Sequence, residues 1–344
     1  MSKIDFIKTE DFSTGLYCND VKDIFHSKTG ALTEAYEKFY LPIENFINNF
    51  DKISVLDICY GIGYNSKVLL HNSYLPKIKI DALEYDENLI FISPFIKDGI
   101  EDINLVLFLI NSVINSCYFS EEKLNRIFNE YIEGNFEFFD NFIPFLKKFI
   151  TKEHYKNILM SQNNLNLHNI YYKYISTRTT DWKFNNKFND FSLNFHLGDA
   201  RKTLNNLNKF YDIVFLDAFS SQKDPTLWTI DFLSLVKSKM KDNALLVSYS
   251  KATPFRSALK ELGFCVGKTF INDIDMGTVA SFNQDNIINP LSDYDINLIK
   301  TRSGITYKDP YFSLSPDEIK LKRELEQKNS NLISHTQFLK LYQR

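Results

Sequence analysis

The chain contains 344 residues, of which 40 are Lys or Arg and 43 are Asp or Glu, which gives a net charge of −3. This charge provides no overall positive field that would attract nucleic acid, so binding to nucleic acid would require a local basic patch. No stretch reaches the roughly 20 apolar residues of a membrane span, and the N-terminus lacks an apolar signal segment, so we expect a cytoplasmic protein without membrane attachment. The four cysteines lack the spacing of a metal site, and we expect no metal.

The first 50 residues precede the main pattern of strands and helices. Residues 13–17 have the composition of a short strand. After an intervening turn, Ala31, Ala35 and Phe39 recur at the spacing of a helix. We therefore predict that residues 1–50 form an N-terminal extension that packs on a catalytic domain.

Strand-like and helix-like segments alternate between residues 51 and 285. The predicted strands are residues 53–58, 78–83, 191–197, 213–216 and 244–249, followed by a hairpin of 264–270 and 278–282. The predicted helices are residues 64–71, a helix from Glu87 capped by Asp86, 200–207, 225–240, and 253–262 ended by Gly263. This alternation predicts an α/β, Rossmann-like fold, with a mostly parallel sheet, helices on both faces and a terminal antiparallel hairpin.

Two segments depart from the alternation. Residues 95–175 contain apolar residues at helical spacing and no clear strand, which predicts a helical insertion in the domain. Residues 286–344 are polar, and we expect a C-terminal tail with a charged surface helix at 316–327.

A glycine turn follows the first strand of the domain, in the segment Asp57-Ile-Cys-Tyr-Gly-Ile-Gly-Tyr-Asn65. Gly61 and Gly63 allow the backbone to turn close to a ligand, and the next helix begins with free N–H groups. A dinucleotide fold would keep a tighter Gly-x-Gly-x-x-Gly pattern. The segment predicts that Asp57, Gly61, Gly63 and Asn65 bind S-adenosylmethionine (SAM), whose methionyl carboxylate suits the turn. The alternative is a tight turn that binds no ligand.

Acidic residues follow the next two strands. Glu84 ends its strand, where a carboxylate can accept hydrogen bonds from both ribose hydroxyls, and the alternative is a solvated strand end. Asp199 and Ala200 follow the third strand. Asp199 is expected to bind the exocyclic amine of adenine, to cap the helix from Arg201, or to do both.

Asp217 ends the buried run Ile-Val-Phe-Leu and is the predicted catalytic residue, which also borders the cofactor. A carboxylate at the end of a parallel strand can hold an amine and accept its proton. The alternative is a structural cap for the helix after Pro225. Lys223 either contacts phosphate or lies in solvent, and Trp228 either lines the pocket or anchors the helix. Phe219 and Trp228 are candidates to stack on a flipped-out base.

Residues 215–229 resemble the methyltransferase domain of the bacterial bifunctional tRNA 5-methylaminomethyl-2-thiouridine biosynthesis protein and its stand-alone relatives. The family pattern is Asp-Ala/Gly-Phe-Ser/Ala-Pro-x-Lys-x-Pro-x-x-Trp-Thr, and it is matched by Asp217, Phe219, Lys223, Pro225, Trp228 and Thr229. A second family segment, near the N-terminus, is matched by Ser27, Gly30, Ala31 and Glu34. The resemblance covers about residues 11–95 and 165–285.

The resemblance implies SAM-dependent N-methylation of the aminomethyl group of 5-aminomethyl(-2-thio)uridine at the wobble position of tRNA. It implies tRNA as the partner, no stable protein partner, and substrate binding by Ser27, Phe219, Lys223 and Trp228. The family's flavin-dependent oxidase domain has no counterpart after residue 290, so no flavin is expected. The sequence differs from the family pattern at three positions: Asp57, where the family has Glu; Cys59, where it has Gly; and Ser221, where it has Pro.

Two other functions compete with this interpretation. An aminopropyltransferase of the spermidine-synthase type uses the same fold and decarboxylated SAM, but its Gly-Gly-Gly-Asp/Glu turn is missing here. A non-catalytic RNA-binding protein of the same fold is the second alternative. The combination of Glu84, Asp199 and Asp217 argues against it.

Overall fold

A seven-stranded sheet forms the centre of the protein in the computed structural model. The described residues are 4–25, 29–100, 102–116, 126, 130–131, 135–139 and 187–342. The strands of this sheet are β4 (Lys52–Ile58), β5 (Lys77–Glu84), β6 (Ser192–Leu197), β7 (Tyr211–Leu216), β8 (Met240–Ser248), β9 (Cys265–Ile271) and β10 (Ile274–Ser281). A separate three-stranded sheet precedes it, formed by β1 (Ile4–Lys8), β2 (Thr14–Cys18) and β3 (Asp23–Ile24).

The strand order of the large sheet is β6-β5-β4-β7-β8-β10-β9. The first five strands of this order pair in parallel, and β10 is antiparallel to both β8 and β9. The predicted fold class, a Rossmann-like α/β sheet with a terminal antiparallel hairpin, is therefore confirmed. Because the order reverses at β4, the carboxyl ends of β4 and β7 form the crevice where open α/β sheets bind ligands.

Both faces of the sheet are covered, as parallel pairing requires. In β7 alternate residues face opposite sides: Ile213 and Phe215 pack in one core cluster, and Val214 and Leu216 pack in the other. The helices are α1 (Ala31–Ala35), α2 (Leu41–Ile47), α3 (Tyr64–Asn72), α4 (Glu87–Ile92), α5 (Ile103–Ser116), α6 (Ala200–Thr203), α7 (Ile230–Lys237), α8 (Thr253–Glu261), α9 (Asp293–Ile299), α10 (Pro316–Asn329) and α11 (His335–Tyr342).

Most predicted boundaries differ from the observed ones by a few residues, but the helix predicted over 225–240 is wrong in extent. A short 3₁₀ turn occupies Thr226–Trp228, and α7 begins only at Ile230. Thr229 is the cause, because its extended backbone interrupts the helix and its side chain accepts the N–H of Phe232. The helix then ends at Lys237, since β8 already begins at Met240.

Hydrogen bonds hold the N-terminal segment together and join it to α3 of the domain. Asp11 and Ser13 accept the first N–H groups of α1, which has no cap of its own. Burial opposes ionisation of Asp11, but hydrogen bonds led by that of Ser13 lower its pKa to about 2. Tyr64 of α3 donates a hydrogen bond of 2.9 Å to the Thr14 carbonyl. This places α1 beside the carboxyl ends of the sheet strands.

Residues 286–342, which belong to the predicted C-terminal tail, contain helices and pack on the domain. Tyr307 forms a parallel bridge with Thr229, just before α7. The guanidinium of Arg323 in α10 lies 4.7 Å from the centre of the Tyr307 ring. The C-terminal segment therefore lies beside the loop that follows β7.

Only part of the predicted helical insertion at 95–175 is described, and α5 is its longest element. Most of the remaining insertion lies outside the described residues. Within the part of the chain that the structure covers, no helix has both the length and the apolar character to cross a membrane.

Candidate active site

Four acidic side chains lie at the carboxyl ends of four neighbouring parallel strands. Asp57 is the second-last residue of β4, Glu84 ends β5, Asp199 follows β6, and Asp217 directly follows β7. The parallel register brings all four to one edge of the sheet. The fold therefore groups the acidic residues that the sequence analysis selected one by one.

The turn after β4 has a backbone that is largely left-handed. Cys59, Gly61 and Gly63 have φ values of 67°, 59° and 83°. A Cβ atom at Gly63 would collide with the Tyr60 hydroxyl, so only glycine fits there. Gly63 is also the N-cap of α3 and provides no side chain to bond its first N–H groups. These donors suit an anionic ligand.

Glu84 organises the turn from the neighbouring strand. Its carboxylate accepts the N–H of Gly61 at 2.7 Å, the N–H of Tyr85 at 2.7 Å and the N–H of Asp86 at 2.9 Å. Burial raises the pKa of Glu84, although these hydrogen bonds favour its ionised form. Each carboxylate oxygen has two lone pairs, and Oε1 already accepts two of these bonds, so Glu84 can accept one further bond from a ligand at Oε2.

Asp57 is completely buried and holds one unused acceptor. Its Oδ2 accepts a hydrogen bond of 2.5 Å from Ser66, whereas its Oδ1 has no partner among the described residues. Burial raises the pKa of Asp57 to about 7; the Ser66 bond opposes the shift and the charge of Glu84 adds to it. A buried unpaired carboxylate oxygen is costly, and a cationic ligand group at this position would remove the cost.

Asn65 connects the glycine turn with Asp217. Its Nδ2 donates a hydrogen bond of 2.7 Å to Asp217 Oδ2, and its own Oδ1 is a second buried acceptor without a described partner. Burial raises the pKa of Asp217 well above its usual range, with a further contribution from the negative charge of Glu34. Thr229, not Asp217, caps α7. The alternative of a structural cap is therefore wrong.

Three residues near Asp217 were not selected from the sequence. Glu34 of α1 forms a mostly buried ion pair with Lys38, which lies in a π-helical turn at Tyr36–Tyr40. Lys38 Nζ is 5.8 Å from the ring centre of Tyr249, whose hydroxyl donates a 2.8 Å bond to the Ala218 carbonyl. Burial and the charge of Asp217 raise the pKa of Tyr249, so the phenol stays a donor.

Only Glu34 carried a signal in the sequence, through the second family segment near the N-terminus. Lys38 and Tyr249 had no such signal, because their proximity depends on how the π-helical turn at Tyr36–Tyr40 packs against the end of β8.

Asp199 is the N-cap of α6, and its carboxylate also binds Arg201 through two side-chain nitrogens. The ion pair of Arg201 continues to the buried Asp309 at 2.8 Å. Burial opposes the ionised form, but the bonds from Arg201 lower the pKa of Asp199. The cap predicted for Asp199 is thus observed, and a contact with adenine stays a prediction. Ala200 is the buried first residue of α6.

The aromatic candidates have different environments. The rings of Phe219 and Phe25 pack edge to face, with centres 5.0 Å apart, and both are only partly buried. Trp228 is 0% exposed, packs on Tyr249 and Phe255, and donates a 2.7 Å bond to the Phe219 carbonyl. Trp228 therefore has no exposed surface on which a base could stack. The structure favours the alternative in which Trp228 anchors the helix rather than lining the pocket.

Lys223 is exposed, and its ammonium donates a 3.3 Å bond to the Lys22 carbonyl. Ser27, the remaining predicted substrate-binding residue, lies outside the described residues. Among the residues that are described, no group of three His, Cys, Asp or Glu side chains could hold a metal ion.

The residues at the turn fit an amino acid ligand such as the methionyl end of SAM. The N–H groups at the start of α3 suit a carboxylate, and the unpaired oxygens of Asp57 and Asn65 suit an ammonium. Glu84 and Asp199 lie on the two following strands, where the nucleoside part of such a ligand would extend.

A family model described as S-adenosyl-L-methionine-dependent methyltransferase matches residues 162–271. The uncharacterized protein MJ0670 of Methanocaldococcus jannaschii is 30% identical to this chain over 320 residues, which are 92% of this chain and 71% of that protein. The crystal structure of MnmC2 from Aquifex aeolicus is 24% identical, covers 96% of this chain and 87% of its own, and has a TM-score of 0.62, so the two share a fold.

Similarity to the longer bifunctional relatives is local. The tRNA 5-methylaminomethyl-2-thiouridine biosynthesis bifunctional protein MnmC of Ralstonia nicotianae is 37% identical over 93 residues. That match covers 26% of this chain and only 14% of the relative. The corresponding protein of Burkholderia vietnamiensis is 36% identical over 76 residues, 22% of this chain and 12% of the relative.

Proposed function

Since this chain belongs to the MnmC-like family of SAM-dependent methyltransferases, we propose that it methylates the amino group of 5-aminomethyl(-2-thio)uridine at the wobble position of tRNA. The product is the 5-methylaminomethyl form. Two features support the proposal: the similarity to the tRNA 5-methylaminomethyl-2-thiouridine biosynthesis bifunctional proteins, and the match of residues 217–229 to the family segment that begins with Asp217.

The residues that would hold SAM are those around the glycine turn and the next two strands. We assign its carboxylate to the start of α3, its ammonium to Asp57 and Asn65, its ribose to Glu84 and its adenine to Asp199. When bound, SAM supplies a methyl group attached to a positively charged sulfur, and the reaction needs no metal.

Asp217 prepares the substrate amine. An alkylammonium cannot attack because its lone pair carries a proton. A buried carboxylate with a raised pKa is a stronger base than an exposed one, so Asp217 can accept that proton or hold the neutral amine by a hydrogen bond. As the nitrogen forms its bond to the methyl carbon, the bond from that carbon to sulfur would break, and S-adenosylhomocysteine would leave with the electron pair. Where Asp217 is ionised and holds the neutral amine by a hydrogen bond, its carboxylate would stabilise the positive charge that develops on the nitrogen.

Phe219 lies two residues after Asp217 in the chain, and its partly exposed ring, together with that of Phe25, is suited to contact the uracil ring. Sequence-specific RNA enzymes commonly stack a flipped-out base on aromatic side chains. Tyr249 and Trp228 support the Phe219 loop from below through bonds to Ala218 and Phe219. The aromatic pair therefore presents a surface whose position is fixed by buried groups.

The observation that carries the proposal is the Asn65–Asp217 bond, which ties a proton-accepting carboxylate to the helix that would bind the methyl donor. The test is to incubate the purified protein with SAM and tRNA that contains 5-aminomethyluridine, and to analyse the nucleosides by mass spectrometry. We expect conversion to the methylaminomethyl form. An unchanged nucleoside with active tRNA and bound SAM would overturn the proposal.

A second measurement, of cofactor binding, distinguishes the aminopropyltransferase and the non-catalytic RNA-binding protein from the proposed methyltransferase. An aminopropyltransferase would bind decarboxylated SAM, which has no carboxylate for the start of α3. Titration calorimetry with both compounds should therefore show binding of SAM only. Binding of neither compound, together with tight tRNA binding, would favour the non-catalytic alternative.

A further inference from the structure

Three lysines from distant parts of the chain meet beside the proposed substrate site. Lys22 lies in the turn before β3, Lys223 in the loop after β7, and Lys320 in α10. The Lys223 ammonium donates to the Lys22 carbonyl at 3.3 Å, and the Lys320 ammonium donates to the Lys223 carbonyl at 2.8 Å. We call Lys22, Lys223 and Lys320 the lysine surface.

The lysine surface borders the aromatic pair. Lys22 is three residues before Phe25, and Lys223 is four residues after Phe219, whose rings are in contact. The surface is thus attached to both chain segments that present these rings. A nucleotide held at the rings would place its neighbouring phosphates near these lysines.

The charges of the lysine surface are available to a partner. A lysine ammonium has three donors, and the two bonds to neutral carbonyls described above use one donor of Lys223 and one of Lys320. Asp317 lies 3.6 Å from Lys320 Nζ, but it is 95% exposed and its attraction is weakened by water. The lysine surface is therefore a local region of positive charge on a protein whose net charge is −3.

We propose that the lysine surface binds the phosphate backbone of the RNA next to the target nucleotide, so that α10 of the C-terminal segment is part of the substrate site. This proposal rests on the proposed function, because it identifies the partner as tRNA. It gives the C-terminal segment a role beyond stabilising the fold.

The test compares two triple variants of the full chain with equal loss of charge. The first is Lys22→Gln, Lys223→Gln and Lys320→Gln. The control is Lys52→Gln, Lys77→Gln and Lys79→Gln, whose exposed lysines lie at or near the amino ends of β4 and β5, at the opposite edge of the sheet. For each protein, binding to an unmodified tRNA transcript is measured as a function of KCl, and kcat and KM are measured with aminomethyl-containing tRNA.

We expect the lysine-surface variant to lose about one unit of the log–log salt slope for each lysine that contacts a phosphate. At about 0.1 M salt this corresponds to up to roughly tenfold weaker binding per contact. KM for tRNA should rise accordingly, while SAM binding and kcat at saturating tRNA stay close to wild type. The single variant Lys320→Gln should show how much of the loss in tRNA affinity is due to α10.

The proposal is overturned if the two triple variants have the same tRNA affinity and salt slope. Failure of the proposed function has a different signature, in which the wild-type protein methylates no tRNA. The binding measurement still decides the inference in that case, since it needs no turnover: selective loss of tRNA binding supports the lysine surface, and unchanged binding contradicts it.

Discussion

Asn65 donates a hydrogen bond of 2.7 Å to the carboxylate of Asp217, across 152 positions of sequence. Asn65 belongs to the first turn of α3, after the glycine turn, and Asp217 directly follows β7. This bond crosses the point where the strand order reverses. It therefore fixes the proposed methyl-donor side and the proposed amine side of the site relative to each other.

Replacing the Asp217 carboxylate with an amide should stop proton acceptance while keeping the shape of the residue. For Asp217→Asn we expect a loss of kcat of roughly 100-fold or more, with SAM affinity nearly unchanged. Single-turnover methylation and calorimetry measure the two quantities. Asp224→Asn is a matched control, because Asp224 lies in the same loop and its carboxylate accepts hydrogen bonds from the N–H and the hydroxyl of Thr226. Wild-type turnover in Asp217→Asn would remove its catalytic role.

Glu84 should contribute mainly to cofactor affinity. Removing a carboxylate that bonds the ribose should cost about 1.5–3 kcal/mol, or roughly 10- to 150-fold in the Kd for SAM. Glu84→Ala tests this by calorimetry, with the exposed Glu261→Ala as the control. Glu84 also holds three backbone N–H groups, so the thermal transition of the variant must be shown to remain cooperative. An unchanged Kd in a folded variant argues against the ribose assignment.

The pair of Glu34 and Lys38 should tune the pH dependence of catalysis. After burial, the charge of Glu34 is the next largest cause that raises the pKa of Asp217; Asp57 adds to it, and Lys38 opposes it. Catalysis requires ionised Asp217, so the acidic limb of the kcat–pH profile should move to lower pH in Glu34→Gln and to higher pH in Lys38→Met. Shifts in the same direction, or none, would contradict an electrostatic role.

Asp57 should make the protein without ligand less stable as the pH rises. Its pKa in the folded protein, about 7, lies above its usual value of 3.8. The folded state therefore binds this proton more tightly, and the resulting stability is complete below pH 3.8 and is lost as the pH rises to about 7. Between about pH 5 and pH 8 this loss should reach up to about 3 kcal/mol.

Urea unfolding of the wild type and Asp57→Asn at several pH values tests this stability prediction. The free energy of unfolding of the wild type should decrease more steeply with pH than that of the variant, because the amide does not titrate. Parallel profiles would show that Asp57 is not the titrating group.

The sheet could be predicted because its signals are local. Continuous apolar runs such as β7 mark buried parallel strands, and the side chain of Asp86 caps α4 as expected. The acidic strand ends followed from the same pattern. The carboxylates at the predicted strand ends could be identified from the local sequence, without knowledge of distant residues.

The surroundings of the acidic residues could not be predicted, because they depend on tertiary packing. Glu34 and Tyr249 are more than 200 positions apart in sequence, and neither periodicity nor spacing relates them. The ion pair of Arg201 with Asp309 likewise joins α6 to a segment that composition alone suggested to be a tail. Trp228 has the expected position but is fully buried, which a lone aromatic in a motif does not reveal.

Cys59 occupies a turn position where the family has glycine, with a φ of 67°, and brings a sulfur atom into the proposed methylation site. A thiolate there would compete with the substrate amine for the methyl group, and the protein would consume its own methyl donor. Burial, followed by the charges of Glu84 and Asp217, raises the pKa of Cys59 well above its usual value. Because the thiolate is the nucleophile, the protonated sulfur does not attack the methyl group. The carboxylates proposed to bind donor and acceptor thus also protect the enzyme from self-methylation.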